Sequence, residues 1–173
     1  MLKLDNEIAE LYSMGRCGTK SISHHILGYS YSDVYGDVNN PNRFMFFVTP
    51  ENIRQSEKTQ ILVLREPEER FISGHQLWVE QNHQDHPQYE NYERFMYYHG
   101  APFLHRIDTS IDFKILHFNK LGEYVPHINR DPDLSDRKWV ENTYDWELEL
   151  RLYNTLINSK EEISPEEFHR CFS

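Results

Sequence analysis

Strands alternating with helices predict an α/β protein, three layers deep, built on an open and mainly parallel central sheet. Three observations carry that expectation. Residues 61–64, ILVL, form an uninterrupted aliphatic run, the pattern of a parallel strand covered on both faces. Residues 8–14, IAELYSM, form a second apolar-rich run that enters a turn at Gly15. The chain has 173 residues, 38% of them hydrophobic. That suffices for a core within one domain spanning 1–173, and is too little for two comfortable ones.

The elements follow in order. After the strand at 8–14, residues 19–28 read as a helix that Gly28 stops. Residues 29–43, rich in Tyr, Ser, Asp, Asn and Gly, read as a loop, and FMFFV at 44–48 as a buried strand. TPENIRQSE at 49–57 predicts a helix start, with Thr49 as cap and Pro50 in the first turn. The strand at 61–64 leads into a helix from Pro67, with acidic residues in its first turn. A polar loop at 83–91, a helix over NYERFMYYH, a strand over FKILHF (113–118) and a loop at PHINRDPDL come next. Trp139, Val140, Tyr144, Leu148, Leu152 and Leu156 give 136–158 helical periodicity, and Ser164 caps a short terminal helix.

Composition narrows the partners. A formal charge of −10 opposes nucleic-acid binding, which needs a basic field. In such a chain a local cluster of Arg and Lys marks the place where a polyanion would sit. The N-terminal residues lack a signal-peptide pattern, and no apolar run reaches the ~18 residues of a membrane span. The expected location is therefore cytoplasmic, with no membrane partner. The two cysteines, Cys17 and Cys171, cannot form a disulfide framework, and the ten histidines show no metal-site spacing, so no metal is expected.

Two segments concentrate phosphate-binding chemistry, and both fall at carboxyl ends of predicted strands, where open α/β sheets bind ligands. The first is Gly15-Arg16-Cys17-Gly18-Thr19-Lys20-Ser21 before a helix. Glycines permit a tight turn, the helix start offers N–H groups, Thr19 and Ser21 add hydroxyls, and Arg16 and Lys20 add charge. The Walker A pattern is not met, because Thr19 and Met14 stand where its glycines belong. A Cys-x5-Arg phosphatase loop fails too, since Ser23 is six residues after Cys17. Cys17 is read as a small loop residue; the alternative is a thiol of lowered pKa beside Arg16 and the helix start. The second segment runs from Ile61 to Gly74. Its strand delivers Arg65 at the carboxyl end, where a guanidinium can fork onto a phosphate, and the next helix brings Ser73 back towards it. Arg70 is within reach of Glu66 or Glu69 and reads as structural.

The run R-E-P-E-E-R-F-I-S at 65–73 resembles the 3′-phosphate motif of sulfotransferases that use 3′-phosphoadenosine 5′-phosphosulfate (PAPS). R-C-G-T-K-S at 16–21 resembles their 5′-phosphosulfate loop, and the two stand in the family's order, about forty-five residues apart. Looser likeness to carbohydrate sulfotransferases extends through FKILHFNKL, PHINRDPD and YDWELELRLYN. Lys20 stands where the family often has Thr or Ser, Glu66 replaces Asp or Asn, and the chain is shorter than typical members. The resemblance implies a P-loop-NTPase-like topology and sulfuryl transfer from PAPS to a hydroxyl or amine of a small-molecule or carbohydrate acceptor, leaving adenosine 3′,5′-bisphosphate (PAP). It assigns Arg16 to the leaving phosphate. Cys17, Gly18, Thr19, Lys20 and Ser21 would hold the 5′ end, and Arg65 and Ser73 the 3′-phosphate. The catalytic base would come from between the motifs: Asp37 is preferred, with His24, His25 and Asp33 as further candidates, and His105 is a candidate acceptor contact. The competing readings are a P-loop-type nucleotide or small-molecule kinase, which would want a magnesium-holding Asp where β-strand residues end in Arg65, and a PAPS-binding protein without turnover.

Overall fold

The computed structural model describes residues 1–28, 45–80, 91–125 and 141–173. Five strands, β1 (Leu2–Asp5), β2 (Ala9–Ser13), β3 (Met45–Phe47), β4 (Thr59–Leu64) and β5 (Phe113–His117), form one open sheet in the order β3-β1-β2-β4-β5. β2 pairs in parallel with β4, and β4 with β5. β1 runs antiparallel to β2 and to β3, so β3 points the same way as β2 and β1 alone is reversed. The sheet is thus mixed but mostly parallel in direction, as the α/β expectation requires.

Burial explains which strands are legible. Every residue of β2 is buried, as are Gln60 to Leu64 of β4, so both strands have cover on each face. β1 was not expected from the sequence. Leu2 and Leu4 face the core while Lys3 and Asp5 are half-buried, and four residues alternating this way give little signal. Lys3 Nζ lies 2.8 Å from both Asp5 Oδ2 and Glu10 Oε1, tying β1 to β2.

The helices are α1 (Thr19–Leu27), α2 (Pro67–Glu80), α3 (Tyr92–His99), α4 (Leu121–Tyr124), α5 (Trp146–Ser159) and α6 (Pro165–Phe172). Gly28 ends α1 at φ 75°, a left-handed conformation that suits glycine. Asn91 caps α3 by accepting from Arg94 N (2.9 Å), Asp145 caps α5 from Leu148 N (3.0 Å), and Ser164 caps α6 from Glu167 N (3.1 Å). The main core joins Leu11, Ile61, Ile115, Leu156, Ile163 and Phe168, and a second cluster of Phe71, Phe95 and Met96 seals α2 against α3. Beyond β5, Ile115 N donates to Glu161 O (2.8 Å) and Ile163 N to Ile115 O (3.0 Å), so the chain before α6 covers that sheet edge.

Two helix expectations change. Over 49–57 the structure has only a single 3-10 turn, Pro50–Asn52. The buried Gln60 side chain accepts from Ser56 N (3.1 Å) and donates to Arg54 O (2.8 Å), which holds the following residues out of a helix. The helix predicted over 136–158 begins at Trp146; residues 141–145 precede it in irregular conformation, and 136–140 lie outside the described residues. Among the described residues, no helix is long and apolar enough to cross a membrane.

Candidate functional site

The loop between β2 and α1 is closed by its own polar groups. Cys17 N donates to Met14 O (3.1 Å), and the Thr19 hydroxyl donates to the same carbonyl (2.8 Å) while standing 2.9 Å from Ser13 Oγ. Arg16 and Gly18 both take left-handed backbone, at φ 67° and 75°. Gly18 has a steric reason as well, because a Cβ there would lie 2.2 Å from Leu121 Cδ2. Among the described residues no side chain caps the start of α1, and uncapped N–H groups at a helix start suit an anion.

Side chains from the second segment converge on this loop. Arg16 Nε donates to Ser73 Oγ at 2.8 Å, joining residues 57 positions apart. Arg65 Nη1 donates to Arg16 O at 2.9 Å, and its guanidinium stacks 4.3 Å from the Phe118 ring centroid. Its side chain is only 2% exposed, so in this conformation the fork faces the loop backbone and Phe118 rather than open solvent. Glu69, one turn into α2, comes to 3.8 Å from Arg65 Nε.

Arg70 is structural, as expected, but through different partners. Instead of Glu66 or Glu69 it donates to carbonyls: Nε to Gly15 O (3.0 Å), Nη1 to Ala101 O (2.7 Å) and Nη2 to Tyr98 O (3.4 Å). It is fully buried, and burial pulls its guanidinium pKa down from the ordinary value. The close fit depends on Gly15 and Gly74. A Cβ on Gly15 would meet Tyr98 O at 2.4 Å, and one on Gly74 would meet His99 O at 2.6 Å. The C-terminal end of α3 therefore presses against both segments.

A further buried group holds the chain after α3. Glu149 of α5, 1% exposed, accepts through Oε1 from Phe103 N (2.6 Å) and Leu104 N (2.7 Å), and its Oε2 lies 3.3 Å from His105 Nδ1. Glu149 is not among the residues that the sequence motifs single out. Its signal was an acid on the helical stripe it shares with Tyr153 and Leu156.

Arg16, Thr19, Arg65 and Ser73 are thus brought together. Lys20 is exposed at the start of α1, and Ser21 is partly buried beside it. His24 and His25 are exposed in the last turn of α1, at the end away from the loop, and the His25 ring lies 5.8 Å from that of His169. Cys17 corrects one alternative: burial pushes its thiol up, outweighing the arginines that would lower it, so it is a packed loop residue and not an activated thiol. Asp33 and Asp37 lie outside the described residues. Among those described, no three of His, Cys, Asp or Glu gather as metal ligands. A cavity of about 190 Å³, lined by residues including Lys3, Glu10, Tyr12 and Arg54, shares no lining residue with the loop. Comparison with protein-family models, curated proteins and solved structures gives no match to this chain.

Proposed function

We propose that the loop of residues 14–21 and the Arg65–Ser73 segment bind the two phosphate ends of PAPS, and that the protein is a sulfotransferase with a P-loop-like arrangement of its parallel strands. The observation that carries this reading is convergence. In a chain of net charge −10, Arg16 and Arg65 meet one strand–helix loop beside an uncapped helix start, while Arg70 holds that loop by its Gly15 carbonyl. Such a concentration of donors suits a ligand with two separated anionic groups.

In this account the α1 N–H groups, Lys20 and Ser21 receive the 5′ end of the donor. Arg16 leaves Ser73 to neutralise charge developing on the oxygen between sulfur and the 5′-phosphate. Arg65 and Ser73 take the 3′-phosphate, which requires Arg65 to exchange its bond to the Arg16 carbonyl for the ligand. Thr19 keeps the loop closed and makes no ligand contact. The acceptor oxygen forms a bond to sulfur as the sulfur–oxygen bond to PAP breaks, and the acceptor proton passes to a base.

The test is transfer of labelled sulfate from PAPS to a panel of alcohols, phenols, amines and monosaccharides without added metal, beside ATP and Mg²⁺ as the competing donor. Sulfated product from PAPS is expected. Phosphorylated product from ATP with none from PAPS would establish the kinase reading instead.

A further inference from the structure

We propose that His105 is the base that takes the acceptor proton and that Glu149 is its positioning residue. This rests on the PAPS reading above and names the group that the donor motifs leave open. The juxtaposition is specific: a buried carboxylate holds one nitrogen of a histidine whose side chain is 43% exposed. Glu149 Oε1 already accepts two backbone N–H groups, from Phe103 and Leu104, so the 3-10 turn Leu104–Arg106 is locked onto α5. Oε2 accepts a long bond from His105 N (3.4 Å) and faces His105 Nδ1 at 3.3 Å. A carboxylate oxygen only accepts, so in the neutral imidazole Nδ1 carries the proton and Nε2 keeps its lone pair for a proton from outside.

The dyad belongs to the same end of the sheet as the loop. The turn carrying His105 packs beside the 3-10 turn that follows β3, where Arg106 pairs with Glu51. Arg70 connects it to the donor loop, bonding Gly15 O on one side and Ala101 O on the other, with Phe103 under its guanidinium at 4.8 Å. Trp146, in the first turn of α5, packs edge-on against Phe71 of the second phosphate segment with ring centroids 5.2 Å apart, so α5 joins the dyad to that segment. Among the described residues, no carboxylate holds His24, on the exposed far turn of α1, in this way.

During transfer, the acceptor O–H proton moves to His105 Nε2 while the acceptor oxygen bonds to sulfur and the bond from sulfur to the PAP oxygen breaks. The imidazolium so formed is stabilised by Glu149, and it releases its proton to water after the product leaves.

The test uses wild type, His105→Gln and Glu149→Gln in the full chain. In Glu149→Gln the amide oxygen can still accept from Phe103 and Leu104, while the amide nitrogen gives up the long bond from His105 N and donates to Nδ1. This moves the imidazole proton to Nε2, the one position that cannot then accept. Long-range ¹H–¹⁵N spectra should show His105 protonated on Nδ1 in wild type and on Nε2 in the variant. Sulfate transfer should fall ~100-fold or more in both variants, with PAP affinity unchanged within threefold. Transfer within threefold of wild type in His105→Gln overturns the proposal, as does an Nε2–H tautomer in wild type. So does a wild type that binds PAP but transfers to no hydroxyl. Failure of wild type to bind PAP is the distinct outcome that removes the donor reading itself.

Discussion

Gly74 sits inside α2, next to Ser73, and replacing it by alanine sets two effects against each other. Helix propensity alone favours alanine by about 1 kcal/mol. The new Cβ would stand 2.6 Å from His99 O, 2.9 Å from His99 C and 3.2 Å from Gly100 Cα, all backbone atoms with no side chain to swing aside. Reaching ordinary contact at 3.4 Å means moving the end of α3 by about 0.8 Å (3.4 − 2.6). That shift pulls on the Arg70 bonds to Ala101 O and Tyr98 O. Overpacking costs about 1–3 kcal/mol, and weakening one such bond about 1 kcal/mol more. Against the propensity gain, Gly74→Ala should destabilise the protein by about 1–3 kcal/mol. Urea unfolding should show the midpoint falling by about 1 M with the slope unchanged. A midpoint that rises, or stays put, would refute the claim that α3 presses on the site through this glycine.

Further outcomes follow from the other buried polar groups. Arg70→Met should cost about 3 kcal/mol by thermal unfolding, because the Gly15 and Ala101 carbonyls lose a charged donor in a buried place; a loss under about 1 kcal/mol would remove Arg70 as the clamp. Burial alone would raise the Glu10 carboxyl, but hydrogen bonds from Lys3 and Tyr12 outweigh it and hold it below its ordinary 4.5. Its contribution is therefore complete above that pH and lost as pH falls through the lowered folded value, so Glu10→Gln should lose less stability than wild type between about pH 5 and pH 3. For Lys3, burial is outweighed by hydrogen bonds to Asp5 and Glu10, which raise it above 10.5, so its contribution fades only as pH climbs past that range. Burial raises both Cys17 and Cys171, so a thiol reagent at pH 8 should modify neither until the protein unfolds; rapid native-state labelling in a Cys171→Ser variant would show Cys17 accessible after all.

Much of this could be seen in the sequence where one kind of signal dominates. ILVL and IAELYSM mark strands because β4 and β2 are buried on both faces, and Gly28 and Ser164 act through local backbone geometry. Residues 49–57 misled because Thr49 and Pro50 start a turn, while the side chain that stops it, Gln60, comes from the next strand. Asp145 was hidden by periodicity that runs on through Tyr144. At the site, the pattern named Arg16, Arg65 and Ser73, but not their mutual contacts. That Arg16 meets Ser73, that Arg65 holds the loop carbonyl, and that Glu149 reaches His105 are tertiary facts with no local trace.

Two anionic ends of one nucleotide are proposed to bind at the Arg16 loop and at Arg65. Calorimetric titration with adenosine 3′,5′-bisphosphate, without Mg²⁺, on wild type and Arg65→Ala tests it most directly. Wild type should bind with ~micromolar affinity, some 8 kcal/mol, weakened by about 2 kcal/mol or more when the guanidinium is removed. Equal affinity in the two proteins, or no binding by wild type while it remains folded, would contradict it.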